Sequence, residues 1–167
     1  MAVGHWLPDG SGFVYRPVKE RQLYIFNLAS KSSRRLTDEA GVMPILNVSP
    51  DGKWVVYQSS MSETVDIRAI PIQGGPSRVV VGTPHQDYHP WFSPSGRWLY
   101  FHLDHKNIWR VPGPAQGWRV APPQKITNFA ESALLWLEDP QGSPDGRGLG
   151  CAKGRITGDI WLLTLPN

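Results

Sequence analysis

Short apolar runs punctuate the chain at regular intervals. One set reads Gly12-Phe13-Val14-Tyr15, Trp54-Val55-Val56-Tyr57, Trp98-Leu99-Tyr100-Phe101 and Gly148-Leu149-Gly150-Cys151. A second reads Leu23-Tyr24-Ile25-Phe26, Ile67-Arg68-Ala69-Ile70, Ile108-Trp109-Arg110-Val111 and Ile160-Trp161-Leu162-Leu163. A third has three members: Arg34-Arg35-Leu36-Thr37, Ser77-Arg78-Val79-Val80 and Gln124-Lys125-Ile126-Thr127. Runs this short, rich in aromatic and β-branched residues, are strand signals. Just ahead of each run in the first set stands a turn signal: Pro8-Asp9-Gly10, Ser49-Pro50-Asp51-Gly52, Ser93-Pro94-Ser95-Gly96 and Ser143-Pro144-Asp145-Gly146. Proline presets φ at the first corner, Asp or Ser bonds back to nearby backbone, and glycine takes the position with φ above zero. Two strands joined in this way form a hairpin.

The turn glycines Gly10, Gly52, Gly96 and Gly146 fall 42, 44 and 50 residues apart. With the strand that leads into each turn, such as Pro90-Trp91-Phe92, every unit has four strands. A four-stranded antiparallel unit of roughly 40–50 residues is the blade of a β-propeller. The expected architecture is therefore all-β, with blades over about 5–41, 42–82, 83–129 and 130–167 and no helix longer than about two turns. Seventeen Gly and sixteen Pro in 167 residues agree with this, because both residues break helices. The fourth unit departs from the pattern. It carries an insertion around Asp139-Pro140-Gln141-Gly142, has glycines where bulky residues stand elsewhere, and ends without a counterpart of Leu36-Thr37. An incomplete last blade leaves an unpaired strand edge, which invites pairing with another chain. Two readings follow: the chain is a fragment of a longer propeller, or two copies make one ring, with a homodimer of eight blades, each chain forming half, as the expected assembly.

Ser49-Pro50-Asp51-Gly52-Lys53-Trp54, Asp66-Ile67, Asn107-Ile108-Trp109 and Leu36-Thr37 together resemble the WD40-like repeat of TolB-type propellers. The stretch Gly154-Arg155-Ile156-Thr157-Gly158-Asp159-Ile160-Trp161 resembles the last blade of propellers attached to bacterial signalling proteins. The resemblance covers essentially the whole chain. It implies a non-catalytic binding or protein-interaction module of a bacterial periplasmic, sensory or signalling system, in a ring of six or more blades. The alternative it implies is a metal-dependent, pectate-type carbohydrate lyase built on a similar propeller. One fold hosts many tasks, so the site must carry the functional argument.

Composition narrows the classes. Seventeen Lys and Arg against fourteen Asp and Glu give +3, too weak a charge to imply nucleic acid. The basic run Lys31-Ser32-Ser33-Arg34-Arg35 reads as a solvated outer strand or loop. No apolar run approaches the ~18 residues a membrane span needs. A single cysteine, Cys151, excludes an internal disulfide and a cysteine-rich zinc site, and its alignment with Tyr15, Tyr57 and Phe101 marks it as a small hydrophobe. The amino terminus lacks the basic start and apolar stretch of a signal peptide, which leaves a cytoplasmic protein or a fragment with an upstream export signal.

Repetition separates scaffold from candidate chemistry. Asp66, Asn107 and Asp159 recur at one position and are expected to make structural hydrogen bonds. His85, Asp87, His89, His102, Asp104 and His105 are confined to the third unit. The loop entering that blade (82–89) and the loop after its second strand (102–107) belong on one face of the propeller. These six residues are the candidate ligand-binding set. The four imidazoles are candidate ligands for a divalent metal such as zinc, copper, iron or nickel; no other cofactor is expected. Nucleophile-elbow, zincin and phosphate-loop motifs are all missing, so no complete catalytic signature stands in the sequence.

Overall fold

A computed structural model describes residues 3–104, 106–119, 121–129, 136–154 and 159–164, with only the backbone described for 3, 136–141, 151–154 and 159–164. Three four-stranded antiparallel sheets follow one another along the chain. The first is β1 (Val3–Trp6), β2 (Gly12–Arg16), β3 (Tyr24–Asn27) and β4 (Ser32–Arg35). The second is β5 (Val42–Val48), β6 (Trp54–Ser59), β7 (Asp66–Pro71) and β8 (Arg78–Val81). The third is β9 (Asp87–Phe92), β10 (Trp98–Leu103), β11 (Asn107–Pro112) and β12 (Gln124–Lys125). A fourth sheet has three strands among the described residues, β13 (Trp136–Gly142), β14 (Gly148–Gly154) and β15 (Asp159–Thr164). The helical structure among the described residues is one 3-10 turn, Pro114–Gln116. The sheets are the blades expected from the repeats. β1 packs beside β5, β5 beside β9 and β9 beside β13, so the first strand of each blade lies next to its successor. No comparable packing joins β13 to β1 among the described residues.

The hairpin turns explain why the motif recurs. The Ser49 carbonyl accepts the Gly52 amide at 2.8 Å, while the Ser49 amide donates to the Trp54 carbonyl at 2.9 Å. The Ser49 hydroxyl accepts the Trp54 amide and donates to Asp51, whose carboxylate also accepts the Lys53 amide. Ser93-Ser95-Trp98 and Ser143-Asp145-Gly148 repeat this lattice. All four turn glycines have φ between 66° and 72°, the left-handed region that a side chain disfavours.

Each inner strand after the first is interrupted at a proline. The ladder register shifts between Val42 and Leu46 around Pro44, between Tyr100 and His102 opposite Pro90, and between Glu138 and Gln141 around Pro140. Proline has no N–H for the ladder, so the strand bulges there. The insertion at Asp139-Pro140 is thus absorbed as a bulge, with the sheet retained.

Alternation along β2, β6, β10 and β14 sends neighbouring residues to opposite faces. Val14 on one face of the first blade meets Val55, Tyr57 and Ile70 of the second. Val56 and Ala69 on the second blade's other face meet Leu99, Phe101 and Val111 of the third. Trp91, Tyr100 and Ile108 of the third blade meet Leu149 of the fourth. The core is therefore three inter-blade layers. The recurrent polar residues serve the scaffold as expected: Asn107 Oδ1 accepts the Thr127 hydroxyl and the Phe129 amide, while Asp66 accepts the Ser62 and Thr64 hydroxyls. The Asp159 and Cys151 side chains lie outside the described residues.

Candidate ligand-binding site on the third blade

The segment 82–86 leads into β9 and is pinned at both ends. Asp87, fully buried at the start of β9, accepts the Thr83 amide at 2.9 Å and the Thr83 hydroxyl at 3.0 Å. The Asp87 amide donates to the Val65 carbonyl of the second blade, and Gln86 Oε1 accepts the Val65 amide. On the other side, the Gln86 amide donates to Asp104 Oδ1 at 3.0 Å and the Asp104 amide returns to the Gln86 carbonyl at 2.9 Å. The two loops that the repeat logic assigns to one face therefore touch. Asp104 takes φ of 51° in the β10–β11 turn, a conformation Asp tolerates better than most residues. Its second oxygen stands 3.0 Å from His85 Nδ1, and this pair is partly exposed.

The six candidates separate into three environments. His85 and Asp104 form the solvent-facing pair. Asp87 lies beneath them, and burial pushes its carboxyl up to about 6 despite the Thr83 hydrogen bonds, with Asp66 and Asp104 adding like charge. His89 and His102 form the third group, their ring centroids 5.4 Å apart. Here the structure corrects the sequence reading: His102 is not in the loop after β10 but inside that strand, paired with Ile108 and Tyr88 and fully buried. Its ring meets Trp91 edge-on at 5.9 Å. The strand runs on to Leu103, and alternation turns His102 to the same face as Tyr100. His89 sits within β9 beside Pro90, with φ of 50° at the bulge. His105 lies outside the described residues. Among the described residues, no group of three or more His, Cys, Asp or Glu side chains is gathered as a metal site would require. The described donors therefore do not fit a divalent ion by themselves.

Two further features carry no signal in the sequence. Gln86 and Thr83 hold the loop, yet neither residue type is distinctive in a loop. A cleft of about 750 Å³ opens between the first two blades, lined by Leu7, Asp9, Asn27, Arg34, Asp51 and Gln73 among others. Arg34, read as part of a solvated basic strand, donates there to the Ile72 carbonyl of the next blade. Only the juxtaposition of two blades creates this cleft.

No family model matches the chain. An uncharacterized protein of Agrobacterium fabrum, Atu1656, is 29% identical over 98 residues, which cover 58% of this chain and 33% of that protein. Among solved structures, a TolB protein from Agrobacterium tumefaciens superposes on 98% of this chain and 58% of its own, with TM-score 0.77 at 20% identity. TolB from Acinetobacter baumannii matches with TM-score 0.77 at 17% identity, over 99% of this chain and 44% of its own. An oligogalacturonate lyase in complex with manganese gives TM-score 0.68 at 16% identity, over 90% of this chain and 46% of that one. The chain thus spans a third of the length of its curated relative and about half that of the TolB structures. Repeats, blade order and superposition agree that this chain has the fold of a TolB-type β-propeller.

Proposed function

We propose that the chain is a non-catalytic binding module of TolB-like type, from a bacterial periplasmic, sensory or signalling system, and that its ligand contacts the paired loops of the third blade. The observation that carries this reading is the His85–Asp104 pair over buried Asp87, on two loops locked together through Gln86. Aligned positions in the other units hold different residues: His102 is replaced by Arg16, Gln58 and Ala152. A partly exposed imidazole beside a carboxylate offers both a donor and an acceptor to a polar peptide or small ligand. The same reading includes a protein partner and a second copy of the chain completing the ring.

The test has two arms. Partners captured by the intact chain from a bacterial lysate are quantified against capture by His85→Ala and Asp104→Ala; a genuine ligand of these loops is depleted in both. Capture unaffected by either substitution would remove the site from the proposal. In the second arm, oligogalacturonate is incubated with the chain, with and without manganese. No unsaturated uronate product is expected, and its formation would replace the binding reading with the lyase reading.

A further inference from the structure

The first two inter-blade grooves can be compared residue by residue. The pairings Val14–Ile25–Arg34 in the first blade and Val56–Ala69–Arg78 in the second place Arg34 and Arg78 at the same point of the outer strand. Between the second and third blades, the Arg78 guanidinium lies 4.8 Å from the ring of Trp54 and 5.3 Å from that of Trp118. The two indoles meet edge-on at 5.6 Å, and the space left beside them is about 200 Å³. Trp54 belongs to β6, whereas Trp118 is carried in by the connection after β11. Between the first and second blades neither indole is present. Gly12 stands at the Trp54 position, and a methyl group built on it would collide with the Phe26 carbonyl, so no side chain fits there. Ile72 and Gly113 occupy equivalent positions, since their amides donate to the Lys53 and Arg97 carbonyls. After Ile72 the chain makes only the turn Gln73-Gly74-Gly75-Pro76, with Gly74 beside Arg34. Among the described residues no ring covers Arg34, which donates to the Ile72 carbonyl. The cleft of about 750 Å³ is thus a groove without the two indoles that fill its neighbour.

We infer that this cleft is a docking site for a peptide segment carrying a tryptophan followed by a basic residue, with the indole lying over Arg34. It is distinct from the third-blade loops that carry His85 and Asp104, which lie at the other end of the strands. The occupant is read from the filled groove, where the chain itself supplies Gly117-Trp118-Arg119. The same cation stands in the first cleft without its aromatic partners, and a guanidinium is attracted to the face of an indole. Leu7, Ile25 and Ile72 offer apolar walls for the rest of the ring. Asp9 and Asp51 line the cleft and suit the basic neighbour, whereas Asp51 and Ser95 hold the matching turn positions at the second groove. Asp9 accepts the Ser11 amide and hydroxyl, and these bonds favour its charged form. Size agrees as well, since ligand clefts run to roughly 300–1,000 Å³.

The experiment titrates acetyl-Gly-Trp-Arg-amide into the isotope-labelled full chain and follows backbone amides by heteronuclear NMR. Saturable shifts are expected at Asn27, Arg34, Asp51, Ile72 and Gln73, which line the cleft. A peptide with Ala in place of Trp should bind at least ~10-fold more weakly, because it loses the buried ring. In the chain, Gln73→Trp supplies an indole from the second blade's turn and should weaken binding at least ~10-fold by filling the site. Gln73 is exposed, so the β-type circular dichroism should stay unchanged. Ser32→Trp, on the first blade's wall of the cleft, replaces it if that variant fails to fold. Arg34→Gln should weaken binding ~3-fold, the scale of a solvent-exposed cation–π contact. No saturable shift at millimolar peptide overturns the inference, as does saturation on residues away from the cleft. Equal binding of the Ala peptide, or undiminished binding to a folded Gln73→Trp or Ser32→Trp chain, overturns it too. N-acetyltryptophanamide binding as tightly as the peptide means a free aromatic ligand, which overturns the proposed occupant. None of these outcomes bears on ligand capture by His85 and Asp104.

Discussion

Replacing Asp87 by Asn isolates the electrostatic burden beneath the third-blade loops. The carboxylate is fully buried and accepts the Thr83 amide and hydroxyl on separate oxygens; its amide isostere keeps one oxygen for the Thr83 amide, while its NH2 donates to the Thr83 hydroxyl oxygen instead of accepting from it. Burial and the neighbouring Asp66 and Asp104 hold the group at about 6 when folded, against 3.8 as its ordinary value. The folded state therefore binds this proton more tightly than the unfolded chain. Stability from this group is fully present below about 4 and is lost as pH rises through about 6. A displacement of that size corresponds to about 3 kcal/mol, and relaxation of the protein around the buried carboxylate reduces the penalty to ~1–2 kcal/mol. Urea denaturation across this range reads the effect as a difference between two chains, so groups common to both cancel. Near pH 4 the Asp87→Asn variant should match wild type. By pH 7 it should be the more stable by ~1–2 kcal/mol. Parallel stability curves across that interval would refute the assignment of burial as the dominant influence on Asp87.

Three smaller perturbations probe the scaffold. Gly52→Ala forces a side chain into φ of 67° and should cost ~1–2 kcal/mol, whereas Ser95→Ala in the equivalent turn, where the hydroxyl contacts are 3.3–3.4 Å long, should cost under ~1 kcal/mol; chemical denaturation compares them. Thr127→Val removes the hydroxyl that accepts the buried Ile108 amide and donates to Asn107, so an orphaned buried group should lower stability by ~1–3 kcal/mol. Hydrogen exchange at Ile108 should rise in that variant, and unchanged protection would contradict the assigned role.

The turn chemistry made the blades legible before any coordinates. Pro-Asp-Gly or Pro-Ser-Gly ahead of a short strand run has one economical local solution, a hairpin whose glycine sits at positive φ, and all four copies adopt it. The recurrence of Asp66 and Asn107 likewise marks them as scaffold, because a residue type that returns at one position of several blades belongs to the blade. The site was only partly legible. Sequence placed His85 and Asp104 on neighbouring loops, and they meet at 3.0 Å. It misplaced His102, because the length of β10 depends on the partner strands that extend it to Leu103.

What the sequence determined by itself is local: strand, turn and repeat period, each decided by residues within a few positions of one another. Tertiary structure decided what depends on distant parts of the chain. Burial of Asp87 requires the second blade to cover it, and its displaced titration follows from that desolvation. The cleft at Arg34 requires two blades side by side. Trp6 reads in sequence like any strand-core residue, yet it is 60% exposed while its counterparts Val48 and Phe92 are covered by neighbouring strands, because apolar surface is satisfied only by what packs against it.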